Sequence, residues 1–352
     1  MAQDGVVNSW NEWDPLEEVI VGTAEGAVVP EWRIELEATM AGENREFFHT
    51  YGGKPFPEDL IAAAQRELDD FAATLQRLGV TVRRPEPINF LRSYGTPHWT
   101  SATGMYAAMP RDVALVMGDV LVEAPMAYRS RYYETDAYRH LFLEYFRRGA
   151  RWLNPPRPLL TDDLYADSAD LAQGEWLVTE AEPTFDAAEF IRFGRDVFTQ
   201  RGHVTNEAGI EWMRRTFGID VQFHLIDTLD PHAMHIDATL MPLCPGKALI
   251  NRERLADVPD ILADWDVRDV PPSTIPHSHP MWVASRWVNM NVLMLDEDHV
   301  IVERDEEPII DLLRDWGFET IPCAFRHVNS IGGSFHCATL DVRRRGTLKT
   351  YR

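Results

Sequence analysis

Residues 60–82 are LIAAAQRELDDFAATLQRLGVTV, and this stretch contains the pattern that decides the fold. Apolar side chains recur every three or four residues from Leu60 to Leu78, which predicts a helix with one buried face. Gly79 then supplies a left-handed residue of the kind that commonly ends a helix, and the β-branched run Val80-Thr81-Val82 starts a strand. The stretch therefore predicts a helix, a glycine stop and a strand in immediate succession.

The same succession recurs four more times along the chain. The stops fall at positions 79, 149, 218, 266 and 317, spaced 70, 69, 48 and 51 residues apart, with Asp266 in place of a glycine. Repeats of this length indicate supersecondary modules that cannot bury their apolar faces alone. Helix–glycine–strand junctions also occur in any α/β protein, but five at similar spacing favour a modular, pseudo-symmetric ring or stack. The strands that follow the stops are expected to begin at Val80, Arg151, Ile219, Val267 and Phe318.

We therefore predict an α/β fold with a single domain, residues 1–352, built from about five ββαβ-like modules. Its strands should include Glu18–Gly22 near the amino terminus, and Val113–Met117 and Val292–Leu295, whose few polar residues predict burial on both faces. The chain has 352 residues, and a typical domain has roughly 150, so the length also allows two domains. The repeat spacing favours the single domain.

The composition is that of an ordinary folded chain, with 45% hydrophobic, 11% aromatic and 26% charged residues. The net charge of −22 repels phosphate groups, so we expect no binding to nucleic acid and none to anionic membranes. No apolar run approaches the about 20 residues of a membrane helix, and residues 1–14 lack the pattern of a secretory signal. We expect a cytoplasmic protein.

Three cysteines, Cys244, Cys323 and Cys337, are an odd number without a CxxC pair, which argues against a disulfide framework and a structural zinc site. Cys337 differs from the others because it follows Gly332-Gly333-Ser334-Phe335-His336. Glycines let the backbone pass close to a ligand, and a thiol becomes a nucleophile when a cationic or histidine neighbour favours the thiolate. Cys337 is thus a candidate nucleophile, although a buried, inert cysteine is the commoner role.

His235 lies between acidic positions and is suited to proton transfer near neutral pH. Asp186 is expected to open an amphipathic helix, Ala187–Arg195, either as its cap or as the carboxylate that orients a catalytic histidine. His232 with His235 and Asp237, or His277 with His279, could alternatively bind a metal. No second partner motif accompanies them, so no metal site is predicted.

Asp112 and Asp237 are carboxylates at strand-like positions, Asp112 at the start of a buried strand, and together they suit a planar cation such as a guanidinium. Asp112, Asp186, His235, Ser285 and Cys337 are spaced 74, 49, 50 and 52 residues apart, close to the spacing of the helix stops. One polar residue from an equivalent place in each module would converge on a common centre. The spacing predicts a composite active site.

Several longer runs resemble the amidinotransferases, with the glycine amidinotransferases most similar and the inosamine-phosphate amidinotransferases as relatives. The likeness covers most of the chain, and its runs are Val204-Thr205-Asn206, residues 185–192, 209–215, 234–239, 290–296, 333–337 and 341–348. This resemblance implies a five-module α/β propeller of the pentein type. It also implies a homodimer and an enzyme that needs neither a metal nor an organic cofactor.

By the same resemblance, Cys337 attacks the guanidinium carbon of L-arginine, L-ornithine leaves, and an acceptor amine then takes the amidino group to form a guanidino compound. His235 is implied to be the general acid and base, with Asp186 orienting it. Substrate-binding roles are implied for Asp112, Asp237, Arg254, Ser285, Met234 and His232. Since carboxylates surround the thiol, we expect the arriving guanidinium itself to favour the thiolate.

Two positions depart from the pattern of the glycine enzymes and leave the acceptor open. The chain has His232-Ala233 where those enzymes have Asn-Pro, in a loop expected to shape acceptor access, and Ala284-Ser285 where they have paired serines. Glycine, lysine, another amino acid, an amine or an aminocyclitol phosphate are candidate acceptors. Two other functions remain: a deiminase-type hydrolase with water as the acceptor, and a non-enzymatic module that binds arginine-like ligands.

Overall fold

Five three-stranded sheets organise the computed structural model, which describes residues 5–40, 42–283 and 285–351. In each sheet the middle strand pairs antiparallel with one neighbour and parallel with the other. The strands are β1 (Leu16–Val21), β2 (Thr81–Arg83), β3 (Tyr94–Gly95), β4 (Thr100–Ser101), β5 (Ala114–Met117), β6 (Val120–Glu123), β7 (Arg151–Leu153), β8 (Phe190–Phe193), β9 (Asp196–Gln200), β10 (Gln222–Ile226), β11 (Leu240–Cys244), β12 (Lys247–Ile250), β13 (Asp266–Asp269), β14 (Leu293–Met294), β15 (His299–Glu303), β16 (Glu319–Cys323) and β17 (Thr339–Arg344).

Helices connect the middle strand of a module to its outer, parallel strand. Helix α3 joins β1 to β2, α5 joins β6 to β7, α7 joins β9 to β10, and α8 joins β15 to β16. The described residues contain no helix that is both long and apolar enough to cross a membrane. The helices are α1 (Ile34–Thr39), α2 (Arg45–Tyr51), α3 (Glu58–Arg77), α4 (Pro110–Val113), α5 (Arg139–Arg147), α6 (Ser168–Leu171), α7 (Glu207–Phe217), α8 (Glu307–Asp315) and α9 (Arg326–Ile331).

The last strand of the chain completes the first module. Strand β1 lies between β17 and β2, and Val19 faces Asp341 across the antiparallel pair. The other modules are β5-β6-β7, β8-β9-β10, β11-β12-β13 and β14-β15-β16, each continuous in sequence. Four of the five modules thus follow a β-β-α-β order, as the repeat spacing predicts, with the first strand of the first module supplied from the carboxyl-terminal end.

The glycine stops behave as predicted in three modules. Gly79, Gly149 and Gly317 have φ values of +89°, +108° and +95°. Residues with a Cβ rarely adopt this left-handed backbone conformation. Gly218 also ends its helix as predicted, since α7 stops at Phe217, but its φ of −65° is not left-handed. The fourth module has only a short 3₁₀ helix, Asp260–Leu262, before β13, so the position of Asp266 needs no glycine.

Two predicted elements in the third module are wrong. Strand β10 begins at Gln222 rather than Ile219, because the N–H groups of Asp220 and Val221 still donate to the carbonyl of Phe217 and prolong the turn. The predicted helix Ala187–Arg195 is a 3₁₀ turn, Ala187–Glu189, followed by the hairpin of β8 and β9. All four residues of β8 are buried, and a fully buried strand lacks the alternation that would distinguish it from a helix.

A buried network of charges connects strands β8 and β17 with helix α4 and the segment before β1. Arg192 donates to Glu12 at 2.7 Å and to Asp341 at 2.8 Å, and Arg111 approaches Asp341 at 2.6 Å. Arg344 donates to the same carboxylate at 2.7 Å. Burial by itself would raise the pKa of Asp341, but the three arginines outweigh burial and hold that pKa well below its ordinary value. The first, second and third modules are therefore joined through one anion.

The substitution Asp341→Asn should destabilise the protein by about 3–5 kcal/mol, because it leaves buried arginines without their shared partner. The free energy of unfolding is measured by urea denaturation. Glu211→Gln is the control, since its ion pair with Arg215 lies on the surface and should contribute about 0.5 kcal/mol or less. Equal effects of the two substitutions would contradict the central role of the network.

Candidate active site

A cavity of about 370 Å³ opens where the first strands of the modules begin. Asp112 precedes β5, Asp186 precedes β8, His235 precedes β11, Ser285 precedes β14, and Cys337 precedes β17. Four of these five residues line the cavity, and Asp186 lies behind His235, to which it is hydrogen-bonded. The structure therefore brings together the set of residues that the sequence spacing selects.

The thiol of Cys337 is buried and held from two sides. Its Sγ donates to Oδ2 of Asp237 at 3.2 Å and accepts from Nδ2 of Asn291 at 3.1 Å. The side-chain oxygen of Asn291 also accepts from the backbone N–H of Cys337 at 3.1 Å. A Cβ on Gly333 would clash with Sγ, so a glycine is needed there for the close approach of the backbone.

The electrostatics of this site disfavour a free thiolate. Burial, and then the charges of Asp237 and Asp112, raise the pKa of Cys337 well above its ordinary value of 9.0. Without a bound cation, the sulfur is therefore a thiol at neutral pH. A cation that enters between the carboxylates would reverse part of this effect.

His235 lies next to the thiol between two carboxylates. Its Nε2 is 3.2 Å from Oδ2 of Asp186, and its Nδ1 is 3.6 Å from Oδ1 of Asp112. The side-chain atoms of Asp112, His235 and Cys337 lie within 4.8 Å of one another. Burial alone would lower the pKa of His235, but Asp112, Asp186 and Asp237 outweigh it and raise that pKa to about 10. The imidazole is therefore protonated at neutral pH and can donate a proton.

Three carboxylates have local structures that differ from the predictions. Asp112 lies in the one-turn helix α4 rather than at the start of a strand, and Asp237 lies in the 3₁₀ turn Ile236–Ala238. Asp186 occupies the position before a 3₁₀ turn, but its side chain makes no capping hydrogen bond. Each carboxylate is directed to a side-chain partner instead, because short turns before the strands leave these groups free to point toward the centre.

Arg131 and Glu134 belong to the site although sequence reasoning missed them. Arg131 donates to Asp112 at 2.9 Å and to Glu134 at 2.8 Å, and its other amino group is 3.5 Å from Asp186. Burial raises the pKa of Glu134 to about 7 against the opposing effect of Arg131. The i, i+3 spacing of these two residues was the only sequence signal. Arg131 fixes the two carboxylates that flank His235.

Two predicted substrate-binding residues, Arg254 and Ser285, lie at the wall of the cavity. Nη2 of Arg254 is 2.9 Å from Oδ2 of Asp230. The hydroxyl of Ser285 accepts from the backbone N–H of Trp287 at 3.3 Å and begins a 3₁₀ turn. Ala284, the other half of the altered serine pair, lies outside the described residues. Asp230, Arg254 and Ser285 all line the cavity, so its wall offers a guanidinium paired with a carboxylate, and a hydroxyl.

The loop that contains His232 and Met234 forms another wall. Nδ1 of His232 is 2.9 Å from the carbonyl oxygen of Ala38, and the sulfur of Met234 is 3.9 Å from the hydroxyl of Tyr128. The imidazole thereby connects the loop to helix α1. Of the histidines considered as metal ligands, His235 faces two carboxylates, and Nε2 of His279 is 2.9 Å from both the carbonyl oxygen of Arg326 and the hydroxyl of Ser330.

Known proteins of similar sequence span nearly the whole chain, although no protein-family profile matches it. The L-arginine:L-lysine amidinotransferase of Pseudomonas savastanoi pv. phaseolicola is 50% identical over 353 residues, covering 99% of this chain and 97% of that protein. The mitochondrial glycine amidinotransferase of Danio rerio is 47% identical over 362 residues, covering 99% of this chain and 86% of the relative.

Solved structures confirm the fold. SxtG, an amidinotransferase of Microseira wollei from the saxitoxin biosynthetic pathway, is 48% identical with a TM-score of 0.92 and covers 99% of this chain and 100% of its own. The inosamine-phosphate amidinotransferase StrB1 of Streptomyces griseus is 38% identical with a TM-score of 0.89, covering 99% of both chains. DDAH of Pseudomonas aeruginosa, at 12% identity and a TM-score of 0.57 over 93% of this chain and 99% of its own, shows the fold alone. The predicted five-module α/β propeller of the pentein type is confirmed.

Alkylation of Cys337 by iodoacetamide in the empty protein should be slow at neutral pH and should accelerate roughly tenfold per pH unit up to at least pH 9, because only the thiolate reacts. The rate is followed by mass spectrometry of the peptide that contains Cys337, with Cys337→Ala as the background. A rate that already reaches a plateau below pH 8 would show a low thiol pKa and would refute the electrostatic account of the site.

Proposed function

The chain belongs to the amidinotransferase family, and we propose that it transfers the amidino group of L-arginine to an acceptor amine through a covalent intermediate on Cys337, releasing L-ornithine. The observation that carries this proposal is the position of the thiol, 3.2 Å from Asp237 and within 4.8 Å of Asp112 and His235. A nucleophile, a proton donor and two carboxylates for a planar cation meet in one cavity. L-Arginine is the donor named for the Pseudomonas savastanoi relative.

The first half of the reaction begins when the guanidinium of arginine lies between Asp112 and Asp237. Its positive charge offsets the carboxylates, and the thiol of Cys337 loses its proton to solvent. The thiolate then bonds to the guanidinium carbon. His235, protonated at neutral pH, donates its proton to the side-chain nitrogen as the carbon–nitrogen bond breaks, and L-ornithine leaves with a neutral amine.

The second half reverses these steps with a different amine. An acceptor amine attacks the amidino carbon, the now neutral His235 removes a proton from it, and the carbon–sulfur bond breaks to restore the thiolate. Asp186 and Arg131 keep the imidazole and Asp112 in place through both halves. Splitting the transfer into two displacements at one carbon needs only these side chains.

We propose an amino acid or another small amine as the acceptor. Arg254, Ser285 and the loop with His232 and Met234 line the part of the cavity where the remainder of arginine and, later, of the acceptor would lie. A guanidinium and a hydroxyl there suit the carboxylate and amino groups of an amino acid. The acceptors in the names of the two curated relatives are lysine and glycine, which supports this class.

Two alternatives use the same residues. An aminocyclitol phosphate is the acceptor class suggested by the inosamine-phosphate amidinotransferase StrB1. A deiminase-type hydrolase would replace the acceptor with water and would release citrulline. Both alternatives have less support than transfer to an amino acid. The two relatives described above, at 47% and 50% identity, are transferases named for amino acids.

Location and assembly are separate proposals. We propose a reducing, cytoplasmic location, which the absence of disulfides among Cys244, Cys323 and Cys337 supports. A homodimer, no nucleic-acid binding and no membrane binding also remain predictions from the sequence.

The substitution Cys337→Ala should abolish turnover, with a loss of at least about 10³-fold in kcat, because no covalent intermediate can form. Arginine binding should remain, because Asp112 and Asp237 are untouched. Ornithine release measures turnover and calorimetry measures binding. Cys244→Ala is the control, since this cysteine lies in β11 outside the cavity, and its activity should stay within about twofold of the wild type. A variant that still releases ornithine would refute the nucleophilic role.

Incubation of the enzyme with arginine and a panel of acceptors should identify the second substrate. We expect ornithine and a guanidino product in equal amounts with an amino acid such as glycine or lysine, detected by mass spectrometry. Citrulline formed without added amine would instead establish the hydrolase, and transfer only to an aminocyclitol phosphate would contradict the proposed acceptor class.

A further inference from the structure

A second buried imidazole lies directly behind the nucleophile. His336 precedes Cys337 in the chain and is 1% exposed. Its Nδ1 is 2.8 Å from Oδ2 of Asp237, and its Nε2 is 3.2 Å from Oε2 of Glu12. His336 therefore lies between Asp237, which lines the cavity, and Glu12, which belongs to the buried network of charges around Asp341. We call this network the central ion network.

The carboxylate on the cavity side is shared with the thiol. Oδ2 of Asp237 accepts from His336 and also from Sγ of Cys337, the latter at 3.2 Å. When Cys337 ionises, this oxygen and the sulfur carry like charges at hydrogen-bond distance. A positive charge that offsets the charge of Asp237 therefore favours ionisation of the Cys337 thiol.

Both carboxylates beside His336 are ionised. Burial by itself would raise the pKa of Asp237, but its hydrogen bond with His336 and the charges of His336 and His235 outweigh burial and lower that pKa. For Glu12, Arg192 and Arg111 outweigh burial and hold the pKa well below its ordinary value. An ionised carboxylate only accepts hydrogen bonds, and both ring nitrogens of a histidine donate only in the imidazolium.

The other charged and titratable groups nearby are few. Asp112, His235 and the phenol of Tyr106 face the thiol together with Asp237. Around His336 itself, Nε of Arg111 donates to the backbone oxygen rather than to the ring, at 3.4 Å. In the part of the chain that the structure describes, the ring is thus held between Glu12 and Asp237.

We propose that His336 is a positioning residue that keeps a positive charge behind Asp237, so that this carboxylate can bind a guanidinium and still allow Cys337 to ionise next to it. The proposal rests on the proposed function, in which Cys337 is the nucleophile. His336 does not touch the substrate in this arrangement. It acts through Asp237, while the central ion network, through Glu12, holds the imidazolium in place.

The substitution His336→Asn tests this role, because asparagine keeps an N–H donor near the position of Nδ1 but cannot carry a charge. Alkylation of Cys337 at any pH below the midpoint should be about tenfold slower than in the wild type, which corresponds to a thiol pKa about one unit higher. The kcat for ornithine release should fall about tenfold or more. Arginine binding should be unchanged or tighter, because Asp237 loses a competing cation.

The matched control is His203→Asn. His203 is also buried, with Nδ1 accepting from the N–H of Leu177 at 3.1 Å and Nε2 2.8 Å from the carbonyl of Pro231. This variant should lose stability without a shift in the alkylation midpoint. If His336→Asn shows the same pattern, with lower stability and an unchanged midpoint, its role is structural and the proposal is wrong.

A measurement on the wild type covers the case in which His336→Asn does not fold. With ¹⁵N-labelled histidine, NMR should show two N–H groups on the ring of His336 at neutral pH, assigned through their shift when Cys337 is alkylated. A ring with one protonated nitrogen would overturn the proposal. If the wild type releases no ornithine from arginine, the proposed function fails instead, and the two failures are thereby distinguished.

Discussion

The antiparallel pairing of β1 with β17 is the constraint on which the rest of the structure depends. It places the end of the chain inside the first module and closes the series of five sheets. Cys337 precedes β17 by two residues, so this pairing also brings its thiol close to Asp112 and His235. Asp341, within the same strand, gathers Arg111, Arg192 and Arg344. The same strand pairing thus closes the fold and completes the site.

The site combines groups whose charges are unfavourable until a cation arrives. Asp112 and Asp237 suppress ionisation of the thiol and, with Asp186, keep His235 protonated. Without a bound cation, Cys337 is therefore a neutral thiol and His235 is a protonated imidazole at neutral pH. In the proposed reaction, the guanidinium of arginine favours the thiolate of Cys337 while His235 stays protonated. The thiol therefore becomes reactive only when its substrate is bound. Such a thiol is protected from other electrophiles while the cavity is empty.

The sequence predicted those features that depend on local pattern and repeated spacing. The glycine stops at 79, 149 and 317 and the convergence of Asp112, His235 and Cys337 follow from positions along the chain, and the family follows from longer runs of residues. The strand start at Ile219 and the helix over 187–195 were wrong, because a prolonged turn and a fully buried strand resemble other local patterns. Arg131 and His336 could not be assigned roles, since their partners other than Glu134 lie 19 to 324 residues away and are set only by the packing of modules.

The late completion of the first sheet has a consequence for synthesis. While the ribosome is still making the chain, β1 has emerged but one of its edges has no partner until residues 339–344 exist. An unpaired edge strand is a surface on which chains can associate wrongly, and pairing between distant segments is slow to form. A nascent chain can thus build its middle modules first, but it has no reactive centre. An interrupted translation product would lack Cys337, the nucleophile proposed above, and on that proposal could not modify free arginine.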